Sequence, residues 1–184
     1  MKKIISVFMR NYDTDRLVRD EVTPGAEWVL AGEGVGTRKY DGASCLVRDG
    51  VMYKRYDARN GRTPPPGFEP VQPAPDPHTG HWPGWLKAEW PTDKWMFAAL
   101  ENTGPVEDGT YEVMGPHYTG RDAKNPEGLD RDVLIRHGVT VLECPRDFDG
   151  IREYLCDLNI EGIVFHHPDG RMAKIKKKDF GLPR

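Results

Sequence analysis

Along the first third of this chain the apolar and polar positions read as strands and turns, and the second half is mixed. Ile4 to Arg10 is an apolar-rich run, and Glu27 to Ala31 is short and β-prone. Ala43 to Arg48 and Val51 to Tyr56 pair as a hairpin, because Asp49-Gly50 between them is a strong two-residue turn signal. Thr110 to Met114 and Val139 to Glu143 read as further strands. So do Ile160 to His166 and Met172 to Lys176, joined by the turn sequence His167-Pro168-Asp169-Gly170. Asp93 to Leu100 fits a short helix. Asp147 to Asp157 fits another, with an acidic N-cap and with Ile151, Tyr154 and Leu155 on one face.

The stretch from Thr63 to Pro91 holds most of the prolines, from Pro64-Pro65-Pro66 through Pro83 to Pro91. That density excludes regular helix and central strand, since proline has no amide to donate. Trp82, Trp85 and Trp90 in the same stretch argue for an ordered, irregular excursion. Many strands and few helices predict an α+β fold with antiparallel sheets. At 184 residues the chain fits one domain.

Composition narrows the class. With 38% hydrophobic and 30% charged residues the chain reads as soluble and globular, and a monomer is expected. No apolar run approaches the roughly 20 residues that span a bilayer. Arg10, Asp13 and Asp15 come too early for a signal peptide, so a cytoplasmic location without membrane attachment is expected. Cys45, Cys144 and Cys156 are odd in number and lack CxxC spacing, which predicts reduced packing residues. A net charge of −3 argues against coating duplex DNA, although Lys174 to Lys178, with Arg184, form a local basic patch suited to phosphate.

Candidate chemistry begins at Lys39-Tyr40-Asp41-Gly42. In an extended segment Lys39 and Asp41 face the same side, and Gly42 allows close backbone approach to a ligand. An amine attacks phosphorus only when deprotonated, and an ordinary lysine with a pKa of about 10.4 is almost wholly charged at neutral pH. Neighbouring cations or a metal would lower that value. Downstream, Glu112 is the one acid in the β-prone segment Gly109 to Gly115, and Glu161 stands beside the apolar Gly162-Ile163-Val164-Phe165. A carboxylate in such a setting needs a cation, a metal or a ligand hydroxyl. In Ala173-Lys174-Ile175-Lys176 two lysines share a strand face, with apolar neighbours opposite.

In this order the set resembles the covalent nucleotidyltransferase superfamily of DNA ligases, RNA ligases and mRNA capping enzymes. Lys39 to Gly42 matches its nucleophile motif I, the segment around Glu112 motif III, Glu161-Gly162 motif IV, and Lys174 with Lys176 motif V. Gly80-His81-Trp82-Pro83-Gly84-Trp85, Arg136-His137-Gly138 and the run from Ile160 to Leu182 are similar to the single-domain 5′–3′ RNA ligases of vertebrates and scattered other lineages. The resemblance implies an antiparallel-sheet, ATP-grasp-like ligase adenylation domain without an OB-fold domain.

The same resemblance implies a role at each matching position. Lys39 would carry AMP as a phosphoramidate, and Arg55 would contact the ribose or the accepting phosphate. Glu112 would bind a ribose hydroxyl or help place a metal. Asp41, Glu112 and Glu161 would hold magnesium, or manganese in its stead, through water. Lys174 and Lys176 would neutralise the α-phosphate of ATP. The implied activity is joining of RNA 5′-phosphate and 3′-hydroxyl ends. Rival readings are GMP capping, AMP transfer to another acceptor, and a catalytically inactive RNA-binding module. Candidate adenine neighbours are Phe165, Val164 and Phe97, and Arg121 or Arg131 could orient pyrophosphate in place of an OB-fold.

Other features point to structure. His166-His167 and the pair His78 and His81 lack the carboxylate or cysteine spacing of a metal motif. Gly32 to Gly36 resembles a phosphate loop, but no Lys-Ser/Thr follows, so it reads as a flexible approach to Lys39. The three tryptophans read mainly as pins for the proline-rich loop, with stacking on RNA bases as the alternative.

Overall fold

A computed structural model of the chain describes residues 3–59, 61–77, 79–119 and 128–183. His78, Arg121 and Arg184 therefore lie outside the described residues. From the N-terminus the elements are β1 (Ile5–Ser6), β2 (Phe8–Arg10), β3 (Val18–Val22), α1 (Glu27–Leu30), β4 (Val35–Lys39), β5 (Ala43–Arg48) and β6 (Val51–Arg59). There follow β7 (Glu69–Pro70), β8 (His81–Lys87), α2 (Lys94–Thr103), β9 (Gly109–Met114) and β10 (Val133–Arg136). The chain closes with α3 (Phe148–Asp157), β11 (Gly162–His166), β12 (Met172–Lys176) and a 3-10 turn at Lys177–Phe180. This is an α+β fold with mostly antiparallel sheets and few helices, as the strand periodicity predicts. Among the described residues no helix is long and apolar enough to cross a membrane.

The chain divides into two compact units, one of Met1–Lys3 with Asp41–His137 and one of Ile4–Tyr40 with Gly138–Arg184. In the second unit a four-stranded sheet runs β1-β12-β11-β4. Ile163, Phe165, Ala173 and Ile175 alternate onto one face of β11 and β12 and are fully buried. They pack with Val7, Phe8, Trp28 and, from α3, Ile151 and Leu155. This alternation leaves Lys174 and Lys176 together on the opposite face. In the first unit the sheet runs β10-β9-β5-β6-β8-β7, and its apolar face (Cys45, Val47, Met52, Tyr111, Val113) packs with Met96 and Ala99 of α2.

The Asp49-Gly50 hairpin forms as expected, with Arg48 opposite Val51, and Asp147 caps α3 by accepting the Gly150 amide at 2.8 Å. Three expectations are corrected. Glu27 to Leu30 is a helical turn that buries Trp28 and Val29, and the Glu27 carboxylate holds it by accepting the Gly25 amide at 2.8 Å. Val139 to Glu143 makes only a bridge, Thr37 to Val141: Val139 and Val141 are exposed, and Leu142 alone of its apolar residues packs against the core. Within the proline-rich stretch β8 is an interior strand between β6 and β7 that carries Pro83. The Pro83 carbonyl accepts from Val71 on the β7 side, so its missing amide faces that short strand and takes nothing from the ladder with β6. Trp82 does pin the loop: its indole donates to the Gln72 carbonyl at 2.8 Å.

Candidate active site

Lys39 is the last residue of β4, and the register aligns it with Gly162 of β11, which in turn aligns with Lys176 of β12. Residues matched across a sheet share a face, so Lys39 and Lys176 project to the same side. Two residues along, Thr37, Val164 and Lys174 form the next row of that face. Glu161 precedes Gly162 and is held by its carbonyl, which accepts the Lys177 amide at 2.9 Å. Its carboxylate meets both lysines: Lys39 Nζ donates to Oε2, and Lys176 Nζ stands 3.8 Å from Oε1. The Glu161 side chain is only 7% exposed, so this is a largely desolvated cluster of one acid and two ammonium groups.

A Cβ at position 162 would run into the Ile175 carbonyl, and glycine is what permits β11 and β12 to approach so closely beside the cluster. Burial, with Lys174 and Lys178 as like-charged neighbours, overrides the attraction of Glu161 and brings Lys176 down to about 8. Lys177 is the exception among the C-terminal lysines. It turns inward and donates to the Leu158 carbonyl at 2.6 Å, so it belongs to the scaffold. Asp179, 1% exposed, takes Arg10 on one oxygen at 2.6 Å and the Lys176 amide on the other at 3.1 Å, which fixes the end of β12.

Asp41, Arg55 and Glu112 belong to the other unit. Glu112 is 8% exposed and engaged on both oxygens: Oε1 accepts the Gly42 amide at 2.9 Å, and Oε2 pairs with His137 Nε2 at 2.9 Å. A Cβ at Gly42 would strike the Val113 carbonyl, so the Lys-x-x-Gly spacing carries a glycine because its backbone lies flat against β9. Each carboxylate oxygen keeps a second lone pair for a ligand hydroxyl. Arg55 lies over the Trp85 ring at 5.4 Å, and burial lowers its pKa. Nothing local in Arg136-His137-Gly138 marks His137 as the partner of Glu112. Its signal is the pairing of β10 with β9, which sets Ile135 opposite Glu112.

The other candidates separate by burial. Phe165 is fully buried in the core and Phe97 packs against the α2 core, whereas Val164 lies in the Thr37–Lys174 row of the lysine face. Arg131 is exposed. Among the described residues no three His, Cys, Asp or Glu side chains gather as a ready metal site. Magnesium, which keeps several waters and shares phosphate oxygens, needs no more than one or two protein carboxylates, and Glu161 fits that requirement. Compared with known proteins, the chain matches no family model, and no curated protein is significantly similar to it.

Proposed function

We propose that this chain is an ATP-dependent RNA ligase of the covalent nucleotidyltransferase type, acting in RNA repair through AMP carried on Lys39. The observation that carries the reading is the convergence of Lys39 and Lys176 on Glu161 across neighbouring strands. In the first step the deprotonated Lys39 amine attacks the α-phosphorus of ATP. A P–N bond forms, the bond to the bridging oxygen breaks, and pyrophosphate leaves with that electron pair. The RNA 5′-phosphate then attacks the same phosphorus and releases Lys39, giving a 5′–5′ adenylated end. Finally a 3′-hydroxyl attacks the RNA phosphate and AMP departs.

Chemistry of this kind is governed by positioning and charge neutralisation. Lys174 and Lys176 are the cations suited to the α-phosphate oxygens, and the half-buried setting strengthens them. The Lys39 amine donates to Glu161, and a competing cation on that carboxylate frees it for attack. When bound with ATP, magnesium supplies that competing positive charge. Glu112 and Arg55 are assigned to the ribose and to the accepting phosphate by resemblance to the motifs of that superfamily.

Labelled ATP and GTP incubated in parallel, followed by joining of a 5′-phosphorylated RNA and its DNA counterpart, test the reading. Labelling from ATP with RNA joining is expected. Labelling from GTP alone would make the chain a capping-type enzyme, and no labelling from either would leave an RNA-binding module.

A further inference from the structure

A second polar cluster lies in the Asp41–His137 unit, at the far end of β6. A hollow of about 400 Å³ there is lined by Tyr56, Asp57, Arg59 and Arg62. Asp57 and Arg59 project from the same face of β6, and the Gly61 turn, closed by the Arg62 amide on the Arg59 carbonyl at 3.1 Å, returns Arg62 to the hollow. Two guanidinium groups thus face one carboxylate. Arg59 Nε stays 3.9 Å from Asp57, and among the described residues Arg62 meets no carboxylate.

Asp57 has one oxygen satisfied and one not. Oδ2 pairs with His81 Nδ1 at 2.5 Å, whereas Oδ1 is buried without a hydrogen-bond partner. Buried acceptors are nearly always paired, and an orphan costs free energy until a donor arrives. The cluster therefore lacks two things at once, an anion for the guanidiniums and a hydrogen-bond donor for the carboxylate. The phosphodiester of a nucleic-acid strand, which has no P–OH, supplies only the first. A ribose-phosphate unit supplies both, through its phosphate and its 2′-hydroxyl, the group that separates RNA from DNA.

We propose that this hollow is a docking subsite for one ribonucleotide of an RNA strand, its phosphate held by Arg59 and Arg62 and its 2′-hydroxyl donated to Asp57 Oδ1. His81 positions Asp57 for that contact. That the strand is the joined substrate rests on the ligase reading; the ribose-phosphate chemistry rests on the hollow alone.

Binding of a fluorescent 5′-phosphorylated RNA oligonucleotide and of the DNA of identical sequence is measured by anisotropy with the full chain. Wild type is expected to prefer RNA by at least about tenfold, the discrimination a buried polar partner gives. The exposed double variant Arg59→Ala/Arg62→Ala should weaken RNA binding about tenfold or more and flatten its salt dependence. Asp57→Asn should bring RNA affinity down to that of DNA. Wild-type affinity in the arginine variant, or an unchanged RNA-to-DNA ratio in Asp57→Asn, overturns the proposal. Labelling of Lys39 by ATP, read on the same samples, reports on the ligase reading separately: loss of RNA binding in the variants supports the hollow whether or not Lys39 is labelled.

Discussion

Glu161 accepts a hydrogen bond from the Lys39 ammonium while its other carboxylate oxygen stands 3.8 Å from Lys176. One acid thus governs both the proposed nucleophile and a proposed phosphate ligand. Replacing it with Gln leaves two ammonium groups facing each other across Gly162. Glu161→Gln is expected to slow self-adenylation about 100-fold, the size of effect seen when one preorganised charge contact is lost. Circular dichroism should show the fold intact, because the core face of β11 is untouched. Adenylation at the wild-type rate would remove Glu161 from the site.

The lowered proton affinity of Lys176 makes a signed prediction. Its pKa falls from 10.5 to about 8, so between those values the unfolded chain binds more protons than the folded one. Stability contributed by this group therefore rises with pH across that window. The proposed adenylation should move the opposite way, since the Lys176 ammonium assigned to the phosphate is lost as pH passes about 8. At limiting ATP, where the free protein's groups are reported, the adenylation rate should show this alkaline loss. Lys176→Arg, charged throughout the range, should abolish it. A loss that persists in the arginine variant assigns the titration elsewhere.

Asp179 is expected to matter through position. It is 1% exposed and joins Arg10 to the Lys176 amide. Asp179→Ala leaves the Lys176 amide unpaired and the Arg10 guanidinium with only the Arg16 carbonyl, and should destabilise the protein by about 3 kcal/mol in chemical denaturation. A change below about 0.5 kcal/mol, the range of ordinary surface substitutions, would show that Arg10 is fully repaid by water.

Gly42→Ala tests the other unit. The added methyl meets the backbone carbonyl of Val113, which cannot swing aside. A loss of about 1 to 3 kcal/mol is expected, together with weaker ATP labelling as the Gly42 amide is pushed off Glu112. Unaltered stability and labelling would mean that this segment adapts freely.

Much of this arrangement was legible along the chain. The alternation in Ala173-Lys174-Ile175-Lys176 places two lysines opposite the core, and β12 does so. What the chain hides is pairing over long separations. Nothing local tells that β4 lies beside β11, 122 residues on at the Lys39–Glu161 contact, yet that neighbour delivers the carboxylate to the amine. Pro83 misleads because its consequence depends on which side its missing amide faces, and that is set by β7. Glu112 reads as a ligand acid, but its contact with the Gly42 amide adds a scaffold role that only the fold of β9 against that glycine creates.

The nucleophile itself is the most direct test. Protein incubated with ATP and magnesium, digested and sequenced by mass spectrometry, should carry a single acid-labile AMP adduct on Lys39, absent from Lys39→Ala. An adduct on any other residue, or undiminished labelling of Lys39→Ala, would show that AMP is not carried on the amine beside Glu161.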